Sequence, residues 1–165
     1  MAFYVVVRSE LISTVAEAKD YYAERISGVH DVNCYGKTVR IFFESAASHM
    51  FSEEPPTGIV VPSAEQVVRR VHGGRVEIRR FSVDRARLMD RALEAVARFT
   101  VSIPGTGQRG HEMRMFHGPR LPDGRYLRVV LRPGDETDFV CVSAYPIDER
   151  TWLAARRAKS AKFPP

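Results

Sequence analysis

Tyr126-Leu127-Arg128-Val129-Val130-Leu131, a turn at Pro133-Gly134-Asp135, then Phe139-Val140-Cys141-Val142-Ser143-Ala144: this stretch decides the fold. Short runs rich in branched apolar residues, divided by proline and glycine, read as strands that double back on one another. Upstream, 101–103 and 113–116 have the same character, and Pro122-Asp123-Gly124 supplies another turn. The expectation is an antiparallel C-terminal sheet. Downstream, 147–158 reads as a closing helix that contains Trp152 and ends in basic residues.

Toward the N-terminus the pattern becomes helical. Ser82 has the character of an N-cap, and Leu88, Met89, Ala92, Leu93, Val96 and Ala97 recur at the spacing of one helix face. Thr14-x-x-Glu17 is a capping-box pattern that opens a helix to about Ile26, with Val15, Ala18, Tyr22 and Ile26 as its apolar stripe and Gly28 as its stop. Strands are expected at 3–8 and 38–44, which makes a strand, helix, strand unit with a right-handed crossover if the strands are parallel. Between them lies a polar stretch. Further on, 52–58 is a loop by its turn chemistry, Ser63-x-x-Gln66 caps a short helix through 71, and 75–81 alternates as a strand. The fold class is therefore α+β, with helices packed on a C-terminal antiparallel sheet and an N-terminal strand-helix-strand addition.

At 165 residues the chain suits one domain, 1–165. No stretch approaches a membrane span, and 3–7 runs into Arg8 without the basic start or long apolar run of a signal peptide. The expected compartment is the cytoplasm, with no membrane partner. Cys34 and Cys141 fit neither a metal spacing nor a disulfide framework. Charge is uneven: 1–54 is net −3 and 55–165 is net +8, and every cation between Lys37 and Lys159 is arginine. The planar guanidinium fork suits phosphate, so a polyanion such as RNA is the expected partner of the basic part. A codon bias toward arginine on a solvated surface gives the same composition.

Candidate chemistry sits at three places. His49 lies in Arg40-Ile-Phe-Phe-Glu-Ser-Ala-Ala-Ser-His49-Met-Phe51, where a strand-like run ends beside bulky apolar residues. Histidine is the side chain best suited to moving protons near neutral pH, although a ring packed between Phe43 and Phe51 at the core edge would read the same way. Arg85 follows Ser82 at about the third helical position, where a cation opposes the helix dipole and a carboxylate is the usual choice. Such a locally unfavourable residue marks a functional site or a solvated arginine balanced by Asp84. Ser143 and Tyr145 alternate in a strand and so emerge on one face, either to bind phosphate or to end the strand over the core. Arg125, Arg128 and Arg132 are candidate substrate-binding cations in the preceding strand.

Two motifs are rejected. Gly105-x-Gly107-x-x-Gly110 has the letters of a dinucleotide loop, but the following residues read as a strand rather than a helix. His111-Glu112 begins a zincin pattern whose fifth position is Met115, so no metal site is expected there, and no cofactor is implied.

Together the three segments resemble the barnase, EndoU, colicin and RelE ribonuclease superfamily (the BECR fold), and its phage-associated branch in particular. There, a strand leads into a short helix bearing histidine beside aromatic residues, a helix follows that starts with an Arg-Ala pair like Arg85-Ala86, and the last sheet strand ends in a Thr-Ala-Tyr motif, here Ser143-Ala144-Tyr145. The resemblance covers 39–146, with 1–38 as an N-terminal addition and 147–165 as a closing helix and basic tail. It departs from the family in its serine, and 104–122 has no clear counterpart. The resemblance implies metal-independent cleavage of RNA to a 2′,3′-cyclic phosphate, often by a toxin or phage effector with an inhibitor or immunity protein as partner. It assigns catalytic roles to His49, Arg85, Ser143 and Tyr145. The alternatives are a nucleic-acid-binding module without chemistry, or a phage accessory protein that docks another chain.

Overall fold

The computed structural model describes residues 8–34, 36–43, 47–70, 73–106, 110, 112–134 and 138–165. The strand expected at 3–8 lies outside them except for Arg8, as do His72, His111 and most of the glycine loop after Thr106.

Helix α1, Val15–Tyr21, begins as its sequence dictates: Thr14 Oγ1 accepts the Glu17 N–H at 3.2 Å, and the Glu17 carboxylate reaches back to Ser13 N at 3.3 Å. It continues as a π turn through Tyr22–Ile26 and stops before Gly28, whose φ of +100° a side chain would resist. A polar stretch follows. It is strand β1, Val29–Cys34, which forms an antiparallel hairpin with β2, Lys37–Phe42, in register from Val29 opposite Phe42 to Cys34 opposite Lys37. Only its alternate residues Val32 and Cys34 are apolar and buried. The parallel partner of β2 is not an N-terminal strand among the described residues but β9, Asp138–Ile147, with Arg40 forked on Asp138 at 2.8 and 2.9 Å.

The main sheet has six strands in the order β1-β2-β9-β8-β7-β6, where β6 is Val101–Thr106, β7 Glu112–Arg120 and β8 Tyr126–Pro133. Its last four strands in sequence form the expected antiparallel meander. The whole is an α+β fold. A second sheet, order β3-β5-β4, joins Ser52–Glu53 (β3), Gln66–Arg70 (β4) and Val76–Phe81 (β5). The helix expected over 63–71 shrinks to a 3-10 turn, Ser63–Glu65, because Val67 and Val68 favour a pleated strand with Val67 turned into the core.

The helix expected from Ser82 is broken. Ser82 Oγ does cap it, accepting Arg85 N–H at 3.2 Å, but α3, Val83–Arg87, ends at Leu88, a 3-10 turn Met89–Arg91 follows, and α4 is Ala92–Ala97. The break is filled by Ser9, far away in sequence, whose hydroxyl donates to Arg87 O at 2.9 Å and accepts Asp90 N–H at 3.4 Å. One sheet face carries Phe116, Leu127, Val129, Leu131, Cys141 and Ala144 into the main core with Met89, Ala92 and Val96. The other face carries Val101, Tyr126 and Ile147 against α5, Glu149–Arg157, where the Trp152 ring lies flat on Tyr126 at 4.3 Å. Among the described residues no helix is long and apolar enough to cross a membrane.

Helix α4 meets the sheet most closely at Gly118, where the β7 and β8 register shifts. A Cβ there would lie 2.9 Å from both Cα and Cβ of Ala95. Since backbone must move to admit it, Gly118→Ala is expected to lower unfolding free energy by about 1–3 kcal/mol in urea denaturation. Unchanged stability would mean that α4 slides freely on the sheet.

Candidate functional site

Strand β9 outruns β2. Pairing between them covers Asp138 to Val140, and β9 also packs against the short helix α2, Ala47–Met50, and against α3. Helix α2 is anchored by Met50 and Phe51, both buried, which leaves His49 half-buried beside them. Phe43 and Phe51 meet other rings edge-on, those of His30 and Tyr22.

Arg85 ties these segments together. Its backbone N–H is taken by Ser82, and its side chain reaches the backbone of 49–52. Nη1 donates to Ser52 O at 2.7 Å and, at 3.5 Å, to His49 O, while Cζ stands 5.3 Å from the centre of the Tyr145 ring. Burial pulls the Arg85 pKa below the usual guanidinium value, against the nearby Glu53 carboxylate and with the help of Arg79. Arg79, itself buried, converges on the same peptide, donating to Ser52 Oγ at 2.8 Å and Ser52 O at 3.2 Å. Arg85→Met is expected to keep the volume and lose these charge-assisted bonds, at a cost of about 1.5–3 kcal/mol of stability by urea unfolding. Arg85→Lys, which lacks the planar fork, should recover less than half of that loss.

Tyr145 is the hub. Arg128 lies directly opposite it on β8, with Cζ 5.9 Å from the ring centre and Nη1 3.5 Å from the phenol oxygen. The ring thus has guanidinium groups from two elements about it. Behind Arg128 is His117, fully buried on β7: Arg128 Nε donates to His117 Nε2 at 2.9 Å, and His117 Nδ1 lies 2.9 Å from Val101 O. An arginine Nε–H is only a donor, so Nε2 accepts and Nδ1 carries the proton toward Val101. Burial, aided by the Arg128 charge and opposed by the Val101 bond, pushes the His117 pKa down to about 4.

The other expected residues fall as follows. Ser143 shares the sheet side of Tyr145, half-buried and opposite Val130, just after a bulge that leaves Val142 without an opposite residue. Arg132 is exposed further along β8, opposite Val140. Arg125 is elsewhere: it grips Asp84 through two bonds of 2.7 Å and Asp123 at 2.7 and 2.9 Å, which clamps the turn before β8 to α3. Those bonds hold both carboxylates below their ordinary range and raise the Arg125 pKa. The structure thus brings together the His49 segment, Arg85, Tyr145 and Arg128, with Ser143 on the adjoining surface, and commits Arg125 to the scaffold. In the sequence His117 stands six residues from His111, which suits a strand face and no metal spacing, and it has no role in the site expected there. Its available signal was a histidine directly after Phe116 in a strand, at a position that has to face either the core or the opposite sheet side.

No protein family, curated protein or solved structure matches the chain.

Proposed function

We propose that the chain is a metal-independent endoribonuclease that seats a phosphodiester on the Tyr145 side of β9. The observation that supports this most is the Tyr145 ring flanked by Arg85 and Arg128, with Arg85 Nη1 also 3.5 Å from the His49 carbonyl. Cleavage of RNA by its own 2′-hydroxyl needs one proton taken from that oxygen, one given to the departing 5′-oxygen, and cations or donors around the phosphorane. The 2′-oxygen bonds to phosphorus as the bond to the 5′-oxygen breaks, leaving a 2′,3′-cyclic phosphate and a 5′-hydroxyl. In this reading His49 moves a proton, Arg85 and Arg128 balance the phosphorane charge, and Ser143 and Tyr145 donate hydrogen bonds. The resemblance to BECR-fold ribonucleases and the net positive charge of 55–165 support the same substrate.

One observation favours a second reading, an RNA-binding module without chemistry: Arg85 already directs Nη1 to the carbonyls of Ser52 and His49, as a structural clamp would. Incubation of mixed RNA with the protein in EDTA separates the two. New 2′,3′-cyclic ends support the nuclease. Retention of intact RNA with a steep salt dependence supports the binding module.

A further inference from the structure

The geometry points to His117 as a positioning residue: we propose that its ring locks the Arg128 guanidinium in one plane, so that the outer Nη1/Nη2 fork of Arg128 receives a phosphate of RNA. The proposal rests on the RNA reading above and names a residue that the reading does not use.

The lock follows from counting donors. A guanidinium has five N–H groups in a fixed plane. Nε–H of Arg128 is held by His117 Nε2 at 2.9 Å, and Nη1 lies near the Tyr145 phenol at 3.5 Å. The Arg128 side chain makes no other hydrogen bond among the described residues. Anchors at Nε–H and at Nη1, on different edges of the guanidinium, fix its plane and leave one N–H of Nη1 and both of Nη2 for a ligand, a planar set of donors suited to phosphate. The acceptor is itself immobile. Nδ1 of His117 is held by Val101 O, while the His117 carbonyl accepts from Thr100 N at 2.7 Å and from Thr100 Oγ1 at 3.1 Å. Thr100 Oγ1 in turn accepts the Trp152 indole N–H at 2.9 Å, which ties the His117 backbone to α5. A histidine kept only for packing would have no need to face a cation with a bare nitrogen. Placed here, it removes the rotational freedom that a long arginine otherwise loses when it binds a ligand.

The test uses the full chain and a fluorescent 2′-O-methyl RNA oligonucleotide, which binds but offers no 2′-hydroxyl for attack, beside the same sequence as cleavable RNA. His117→Leu is expected to weaken binding of the methylated strand about tenfold and to reduce its salt slope by about one phosphate contact, as Arg128→Ala does. His117→Gln, whose amide oxygen can accept from Arg128, should bind within about twofold of the unmodified protein. The double variant H117L/R128A should bind no worse than R128A, because the histidine acts only through the arginine. Wild-type affinity in H117L, or additive losses in the double variant, overturns the lock. Should H117L fail to fold, the Arg128 Nε–H resonance of the unmodified protein decides, identified by its loss in R128K: slow solvent exchange supports the lock, and exchange as fast as an exposed arginine's overturns it. A protein that binds the methylated strand but leaves the cleavable one whole refutes the nuclease and retains the lock. One that binds neither refutes both.

Discussion

His49→Ala is expected to slow single-turnover cleavage of RNA in EDTA by about 10²- to 10⁴-fold, the range carried by one well-placed proton-transfer group. The loss should fall on the chemical step rather than on binding, because the cations about Tyr145 belong to α3 and β8 and stay in place. Contacts other than the imidazole also hold α2. Helix α2 is held through its backbone by Arg85 at His49 O and through its buried neighbours Met50 and Phe51, none of which depends on the imidazole. Affinity for a 2′-O-methyl strand should therefore change little. A variant that cuts as fast as the unmodified chain removes His49 from the mechanism. One that loses affinity and rate in equal measure makes it a binding residue instead.

What was legible in the sequence was local. The Thr14–Glu17 box and the Ser82 cap form as written, since each is a contact between residues three apart in the chain. The meander of β6 to β9 shows through its turns. What was hidden depends on distant residues. Strand β1 has only two buried apolar side chains, Val32 and Cys34, and owes its pairing to β2 rather than to its own pattern. The break at Leu88 exists because Ser9 occupies it, which no window of sequence around Leu88 contains. In the candidate site, His49, Arg85 and Tyr145 were named from short motifs, and their segments do meet. Arg125 and Arg128 look alike in sequence, yet a carboxylate pair engages the first and a histidine the second. Only the register of β7 against β8, which sets His117 opposite Arg128, tells them apart.

That buried imidazole should also dominate the acid limb of stability. Its ordinary pKa of 6.5 is pushed down to about 4 in the fold, so between those values the unfolded chain binds a proton that the native state refuses. Stability from this source is complete above pH 6.5, falls as pH drops toward 4, and levels off below, for a total of roughly 3 kcal/mol at about 1.4 kcal/mol per unit. Asp84 and Asp123, held below their ordinary 3.8 by Arg125, contribute their own losses only at more acid pH, where those carboxylates take up protons. Urea unfolding at pH 7 and pH 4.5 should therefore show a steep loss for the unmodified chain and a much shallower one for His117→Gln, whose amide does not titrate. Parallel losses in the two proteins would mean that the ring accepts a proton in place. The consequence reaches the Tyr145 surface, because protonation converts Nε2 from the acceptor that holds Arg128 into a second donor aimed at the guanidinium. If Arg128 binds phosphate in the plane this bond sets, affinity for a methylated RNA strand should hold down to about pH 5, fall as pH drops through about 4, where the folded ring takes up its proton, and show no such step in His117→Gln.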